Sequence, residues 1–244
     1  MDKISRLIEM IDSSKHIVVF TGAGVSTDSG LKDFRSEDGL YKKKYEYPAE
    51  YMLSSTCFYR EPDIFFKFYK DNFNCLDIKP NKTHMFIKRL EDMGKLSCVI
   101  TQNIDGLHTK AGSKKVYEVH GTIYKNHCVK CGKEYDANSI FKCSGIPKCK
   151  CGGTIKPDVV LYGEMLPEYE YMNSIYEVSK ADMMIVEGSS LTVQPACGLV
   201  DLFNGKYLVI INKDKTLYDD KANLVINDNL AKVSSKLLEH YKEK

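Results

Sequence analysis

The sequence predicts an α/β fold: a parallel sheet with helices on both faces, carrying a small inserted metal-binding module. Three observations predict it. Short runs of consecutive apolar residues recur along the chain, separated by segments of helical period. The first run opens straight into a glycine turn, "HIVVFTGAG". Residues 124–156 then break the rhythm, being poor in apolar residues and rich in cysteine.

Each element can be justified in order. "MDKISRLIEMIDSSKH" carries Ile4, Leu7, Ile8 and Ile11 at helical spacing, and reads as an amphipathic helix, not a signal peptide. "HIVVF" (16–20) is a buried strand. A second insertion is expected over 40–80, aromatic-rich and irregular at its start, with a helix at 61–74. A helix at 81–93 stops at Gly94. The strands "SCVIT" (97–101) and "VYEV" (116–119) precede the cysteine-rich module. After it come a strand "DVVLY" (158–162), a helix at 168–179, a strand "DMMIVEG" (182–188) and a helix at 195–204. The strands "YLVIIN" (207–212) and "NLVI" (223–226) and a helix at 229–242 complete the chain. All seven apolar runs are assigned to the parallel sheet. There is no internal repeat and no low-complexity linker.

The bulk properties exclude several classes. At 244 residues and 43% hydrophobic content the chain can bury a sizeable core, so disorder is excluded. A net charge of +2 gives no electrostatic drive toward nucleic acid or membranes. No apolar run has the length of a membrane span. The expectation is a cytoplasmic protein, in a reducing compartment where its nine cysteines serve as metal ligands or buried thiols and not as disulfides.

Five of those cysteines fall between residues 128 and 151. Cys128 and Cys131 form a C-x-x-C, one half of a tetrahedral zinc site. Cys149 and Cys151 lie in range to form the other half, although their C-x-C spacing is one residue short. Cys143 and His127 are the alternative ligands. Four protein ligands would close the coordination shell, so the zinc would be structural. Cys57, Cys75, Cys98 and Cys197 read as small core residues.

The glycine turn poses a different question. A dinucleotide fingerprint reads G-x-G-x-x-G with an acidic residue some 20 positions on. Here Gly22 and Gly24 are followed by Thr27, and the acid's place is taken by "YKKKY". An ordinary dehydrogenase is therefore disfavoured.

The motifs "GAGVS" (22–26), "DFRS" (33–36), "TQNID" (101–105), "HG" (120–121), the two cysteine pairs, "PDVVLYGE" (157–164), "GSSLTVQP" (188–195) and "IIN" (210–212) follow one another in this order. In this the chain resembles the sirtuins, NAD-dependent protein-lysine deacylases, over roughly residues 15–232. The resemblance implies a Rossmann-like large domain made of about 1–39, 81–123 and 157–244, and a small domain made of the insertions 40–80 and 124–156. Two departures stand out. Sirtuins read G-I-P-D-F-R-S where this chain has "GLKDFRS", so Lys32 replaces a proline and frees one φ angle. The C-x-C half of the zinc site replaces the commoner C-x-x-C.

The resemblance also implies a reaction and its residues. The acyl oxygen of a substrate lysine displaces nicotinamide from NAD, His120 deprotonates a ribose hydroxyl as general base, and water releases lysine and O-acetyl-ADP-ribose. Gly22, Ala23, Gly24 and Thr27 would line the NAD site, with Gly22 and Gly24 letting backbone N–H groups approach phosphate oxygens, and Phe34 and Arg35 would cover the reacting end. Gln102 would contact the nicotinamide ribose, and Asn103, Ile104 and Asp105 the nicotinamide. Gly188, Ser189, Ser190, Asn212 and Leu230 would hold the adenosine side. An acetyl-lysine protein would pair as an added strand between Val160, Leu161, Tyr162, Gly163 and Glu164 on one side and Thr192 and Val193 on the other. The zinc ligands would be Cys128, Cys131, Cys149 and Cys151. A monomer is expected. The remaining histidines, His16, His84, His108 and His240, read as structural or surface residues.

The acyl group removed can also be anticipated. Phe34, Ile104, His120, Val160 and Tyr162 would wall a largely apolar tunnel. Succinyl-preferring sirtuins resemble one another in a Tyr-x-x-Arg pair. The matching segment here, "SEDGLYKKKYEYPAEYMLSS" (36–55), contains no arginine; Tyr41 is followed by Lys44 instead. Neutral acyl groups are expected, acetyl first. A mono-ADP-ribosyltransferase or a deacylase of longer chains uses the same NAD site, and an NAD-sensing module is the non-enzymatic alternative.

Overall fold

The structure is a computed structural model and describes residues 2–36 and 39–242. Helix α1 (Lys3–Ser13) is capped by Asp2, whose carboxylate accepts from the N–H groups of Ile4 and Ser5, and it buries Leu7, Met10 and Ile11. Strand β1 (Ile17–Thr21) leads into a 3-10 segment (Ala23–Ser29). The first insertion holds α2 (Ala49–Met52), α3 (Ser55–Arg60) and α4 (Pro62–Phe73). Then come α5 (Lys82–Asp92), β2 (Leu96–Thr101), α6 (Leu107–Lys110), β3 (Val116–Glu118), β4 (Gly121–Cys128), β5 (Glu134–Tyr135), α7 (Asn138–Phe141) and β6 (Ile155–Val159). The chain continues through α8 (Glu168–Lys180), β7 (Met183–Glu187), β8 (Tyr207–Ile211), β9 (Leu224–Ile226) and α9 (Leu230–His240).

Among the described residues the main sheet has the order β3-β2-β1-β7-β8-β9, with every neighbouring pair parallel. This is the Rossmann-like order, and it reverses between β1 and β7. Open α/β sheets bind ligands at such a reversal, outside the carboxyl ends of the strands. Alternate residues of each strand feed two cores. Ile17 and Val19 join Met183 and Ile185 in a cluster closed by α1, α5 and α9. Val18 and Phe20 join Met184 and Val186 in the other, which α8 closes.

Two expectations are corrected. The run "DVVLY" does not join the parallel sheet. Its first half ends β6, which lies antiparallel to β4 in a second sheet of order β5-β4-β6. Pro157 has no N–H to give a ladder, which suits an edge strand and not the middle of a sheet. Its partner β4, "GTIYKNHC", is too polar to have been read as a strand. The helix expected at 195–204 is only a 3-10 stretch, Ala196–Val200. Gly198 donates to Pro195 and Asp201 to Gly198, so the turns close at three residues; glycine and valine in so short a segment disfavour an α-helix.

The second sheet and the 40–80 insertion share a third core. Phe58, Phe65, Phe66, Phe68 and Tyr69 pack with Ile123, Ile140, Ile155 and Val159. The sheet runs from Gly121 to Val159, and so begins before and ends after the expected 124–156. No helix among the described residues is long and apolar enough to cross a membrane. Met1, Glu37, Asp38, Glu243 and Lys244, which fall within the expected domain bounds and the 36–55 segment, lie outside the described residues.

Candidate functional site

The loops after β1, β2, β7 and β8 meet at the carboxyl edge of the sheet. Gly22 and Gly24 pack backbone to backbone against Gly188. A Cβ on Gly22 would stand 2.8 Å from the Gly188 carbonyl oxygen, and one on Gly24 would stand 2.7 Å from the Gly188 Cα. Gly188 itself has φ +60, a value side chains disfavour. The N–H of Gly22 donates to the Glu187 carbonyl at 3.1 Å, and that of Gly24 to the Gly188 carbonyl at 2.8 Å. These two N–H groups tie the β1 turn to β7 and the glycine that follows it. Thr27 closes the same turn by donating its hydroxyl to the Gly24 carbonyl at 2.9 Å.

A buried polar triad follows β2. Ser26 donates to the Asp105 carboxylate at 2.7 Å. The Asn103 amide donates to the Gly22 carbonyl at 3.1 Å and to the Ser26 hydroxyl at 3.2 Å. The other Asp105 oxygen accepts from the Leu107 N–H at 2.9 Å. Burial pushes the Asp105 carboxyl above its ordinary range, opposed by the Leu107 N–H and the Ser26 hydroxyl. Asn103, Asp105 and Ser26 are all buried, at a place where unpaired polar groups would be expensive. Ser26 is the residue the sequence reading passed over. It lay inside "GAGVS", and only the fold shows its hydroxyl joining Asp105 to Asn103.

Gln102 connects two loops, its amide donating to the Ser189 hydroxyl at 2.8 Å. Its main-chain carbonyl lies 3.1 Å from Nδ1 of His120. A carbonyl only accepts, so Nδ1 carries the proton and Nε2 keeps its lone pair. Burial lowers the His120 pKa below that of an ordinary histidine, with the Gln102 bond opposing, so the ring is neutral near pH 7. Gly121 is required beside it: at φ +76, an added Cβ would lie 2.0 Å from the Asp158 carbonyl. That close approach lets the Val160 N–H donate to the His120 carbonyl at 2.9 Å.

The 160–164 segment is less open than expected. The N–H groups of Val160, Leu161 and Tyr162 are taken by His120, by the Glu164 carboxylate at 2.9 Å and by Leu53 at 3.0 Å. Ser55 in turn donates to the Tyr162 carbonyl at 3.0 Å, and Glu164 to Leu161. Among the described residues the N–H left on this wall is that of Gly163. The Glu164 carboxylate also pairs with the buried ammonium of Lys156 at 3.1 Å. Lys156 is a second residue the sequence reading missed.

Across from it, Ser190 and Thr192 share a hydroxyl bond at 2.9 Å, and the Leu191 N–H donates to the Ser189 hydroxyl at 3.2 Å. Val193 is half-buried beside them. Asn212 follows β8, with its amide donating to the Asp214 carbonyl at 2.8 Å. Leu230 opens α9 and is buried in the first core. Phe34 lies 5.4 Å ring to ring from Tyr41, over whose ring the Arg35 guanidinium sits at the same distance. The hydroxyls of Tyr41 and Tyr162 touch, joining this segment to the 160–164 wall. Ile104, half-buried in the third core, accepts at its carbonyl from Ile123.

The cysteines settle into one cluster. Sγ atoms of Cys128, Cys131, Cys149 and Cys151 all lie within 4.8 Å of one another, with 3.4 Å between Cys128 and Cys151 and 3.6 Å between Cys131 and Cys149. A tetrahedron of thiolates around zinc has sulfur–sulfur edges of about 3.8 Å, so this set fits the ion. The Cys151 N–H and the Tyr135 hydroxyl bring the Cys149 thiol down to about 6, toward the thiolate a metal needs. The reserve ligands are elsewhere: His127 contacts Asp158, and Cys143 donates to the Ser144 carbonyl. His84 and His108 are buried with rings 4.8 Å apart, as structural residues.

Comparison with known proteins agrees with this geometry. The description "Sir2 family" matches residues 22–195. An NAD-dependent protein deacetylase of Clostridium acetobutylicum is 50% identical over 96% of this chain and 97% of its own. One of Clostridium perfringens is 49% identical over 98% and 99%. A solved Sir2 structure with a deacetylated p53 peptide and 3'-O-acetyl ADP ribose superposes with a TM-score of 0.92, at 38% identity and 98% coverage of both chains. Another, with a p53 peptide and NAD+, gives 0.88 at 37% identity over the whole of both chains. With the matched segment running from the glycine turn through His120 and the cysteine cluster to Pro195, the chain belongs to the Sir2 family.

Proposed function

We infer that the protein is an NAD-dependent protein-lysine deacetylase, yielding nicotinamide, lysine and O-acetyl-ADP-ribose. The observation that carries this reading is the neutral His120, its free Nε2 set by the Gln102 carbonyl, beside the buried Ser26–Asn103–Asp105 triad. Bound NAD supplies a ribose carbon from which nicotinamide can leave and to which an acyl oxygen can bond. The chain's residues do the rest. Asp105 and Asn103 present polar groups to a carboxamide, with Ser26 fixing both. Nε2 of His120 takes a proton from a hydroxyl. Gly22, Ala23, Gly24, Thr27, Gln102, Gly188, Ser189, Ser190, Asn212 and Leu230 surround the nucleotide, while Phe34, Arg35 and Ile104 cover its reacting end.

The acetyl-lysine segment lies between Gly163 and Glu164 on one side and Thr192 and Val193 on the other, with Val160, Leu161 and Tyr162 contributing side chains. Zinc, held by the four cysteines, fastens the second sheet and takes no part in the chemistry. We place the protein in the cytoplasm as a monomer, with a large unit built on the parallel sheet and a small unit made of the 40–80 insertion and the second sheet between Gly121 and Val159.

The test is the mass of an acetyl-lysine peptide incubated with the protein and NAD. Loss of one acetyl group is expected, and a gain of ADP-ribose would mean a transferase instead. His120→Ala should bind NAD yet turn over about 10²-fold or more slowly; near-normal turnover would remove His120 from the reaction.

A further inference from the structure

Helix α6 is a single turn, Leu107–Lys110, and Asp105 sets its place. One Asp105 carboxylate oxygen takes the Leu107 N–H, and the Lys110 N–H closes the turn on the Gly106 carbonyl at 2.9 Å. A lysine at the end of so short a helix is by default a solvated charge. Lys110 is used differently. Its ammonium donates to the carbonyls of Leu76 at 2.8 Å, Ile78 at 3.2 Å and Cys75 at 3.5 Å. An ammonium has three N–H donors, and here it meets three carbonyls.

Those carbonyls lie in the connector from 74 to 81, between α4 and α5, which runs as turn and irregular chain. Such a segment has no ladder to fix its course, so its main-chain groups find partners elsewhere. The contacts it makes reach both halves of the buried triad. At one end Cys75 is buried with its Sγ 4.0 Å from the Asp105 carbonyl, and Lys110 holds the residues that follow to α6. At the other end Asn81 donates its amide to the Val25 carbonyl at 2.7 Å and to the Ser29 hydroxyl at 3.0 Å, flanking Ser26. The bond from Ser26 to Asp105 joins parts of the chain 79 residues apart, and this one connector touches both of them. The Lys110 charge acts on the same group. Burial raises the Asp105 carboxyl, while the Leu107 N–H, the Ser26 hydroxyl and Lys110 all lower it.

We propose that residues 75–81 are a strap tying the Ser26 and Asp105 segments together, and that Lys110 is the positioning residue that pins it, so that the grip of the triad on a nicotinamide carboxamide depends on a lysine outside the triad. The nicotinamide part rests on the deacetylase reading above.

The experiment cuts each end of the strap without removing a group of the triad. Lys110→Met keeps the length of the side chain and loses the donors. Asn81→Ser keeps an oxygen to cap α5, where Asn81 accepts from the Thr83 N–H, and loses the reach to Val25. With zinc-loaded protein, either variant should raise the inhibition constant of free nicotinamide about 10-fold while the KM of the acetyl-lysine peptide holds. Lys110→Arg, which keeps donors for the carbonyls, should restore it. The double variant should lose no more than the worse single one, because either cut slackens the same strap. An unchanged nicotinamide constant, an equal rise in peptide KM, or losses that add in the double variant would overturn the proposal. If the unaltered protein deacetylates nothing, the functional reading fails on its own, and hydrogen exchange still decides the strap. The Leu107 amide should then exchange about 10-fold faster in Lys110→Met while the amides of β1 and β7 keep their rates. An unchanged Leu107 rate, or faster exchange throughout both sheets, would remove Lys110 from this role.

Discussion

Glu187 ends the central strand β7 with a carboxyl group in the wrong place. By the two-residue period of the strand it continues the row Met183 and Ile185, which faces the first core. It is buried, one carboxyl oxygen has no hydrogen-bond partner among the described residues, and burial alone raises its pKa from 4.5 to about 8. A raised carboxyl pKa means that the fold favours the protonated form. Its contribution is therefore fully present below pH 4.5 and is lost as pH rises toward 8. With 1.36 kcal/mol for each pH unit between those values, the loss from pH 5 to pH 8 is about 3 to 4 kcal/mol. That is a large part of the 5 to 15 kcal/mol typical of a folded domain. Replacing Glu187 by glutamine keeps the shape and removes the titration. Urea unfolding of both zinc-loaded proteins at several pH values isolates it, because every other titrating group cancels in the difference. The variant should gain about 3 kcal/mol on the unaltered protein between pH 5 and pH 8. A difference constant to within about 1 kcal/mol over that range would refute the reasoning and mean that the carboxylate is paired in solution.

Three further outcomes are expected. The protein should bind one zinc ion per chain, and Cys149→Ser should lose it in a metal assay, with the second sheet melting before the parallel sheet; full zinc content in that variant would remove Cys149 from the ligands. Lys156→Met leaves the Glu164 carboxylate without its partner and should raise the peptide KM about 10-fold while kcat and zinc content hold, with Lys156→Arg restoring it. An unchanged KM would free the 160–164 wall from that ion pair. On one peptide, acetyl and butyryl lysine should be preferred to succinyl lysine by about 100-fold in kcat/KM, since a carboxylate in an apolar tunnel lacks a partner; succinyl matching acetyl would point to Lys44.

The parallel sheet was legible because burial on both faces writes itself as unbroken apolar runs, and β1, β2, β7 and β8 are such runs. The second sheet was not. Its strand β4 alternates irregularly and carries Lys125, Asn126 and His127, because cysteine ligation and the aromatic insertion hold it instead of a deep apolar face. The ion pair of Lys156 and Glu164 escaped for another reason. A lysine near a proline reads as solvent-facing, and only the turn at Gly163 brings the carboxylate back within 3.1 Å. Ser26 was visible as a letter of a motif, but its role depends on a contact with Asp105 that spans 79 residues of chain. Spacing locates such residues; it does not say which atoms they meet.

The missing third glycine of the first turn follows from the same geometry. In the dinucleotide fingerprint that glycine lets a helix lie close against the strands. Here the segment after Gly24 is a 3-10 stretch, so the tight contact is not between this segment and its own strand. It is between Gly22 and Gly24 on one side and Gly188 on the other, where a Cβ on Gly188 would stand 2.5 Å from the Val25 nitrogen. The third glycine has moved from the first loop to the loop after β7. That exchange leaves position 27 free for a threonine that braces the turn, and position 26 for a serine that turns inward to Asp105. A turn built only to pass a pyrophosphate has no need of an inward hydroxyl. On the proposed function the turn would also form one wall of the place where the carboxamide of nicotinamide is held while the bond between the nicotinamide ring nitrogen and ribose breaks, and that wall does need one. The two glycines seen at once in the sequence, and the one found only in the fold, therefore belong to a single device.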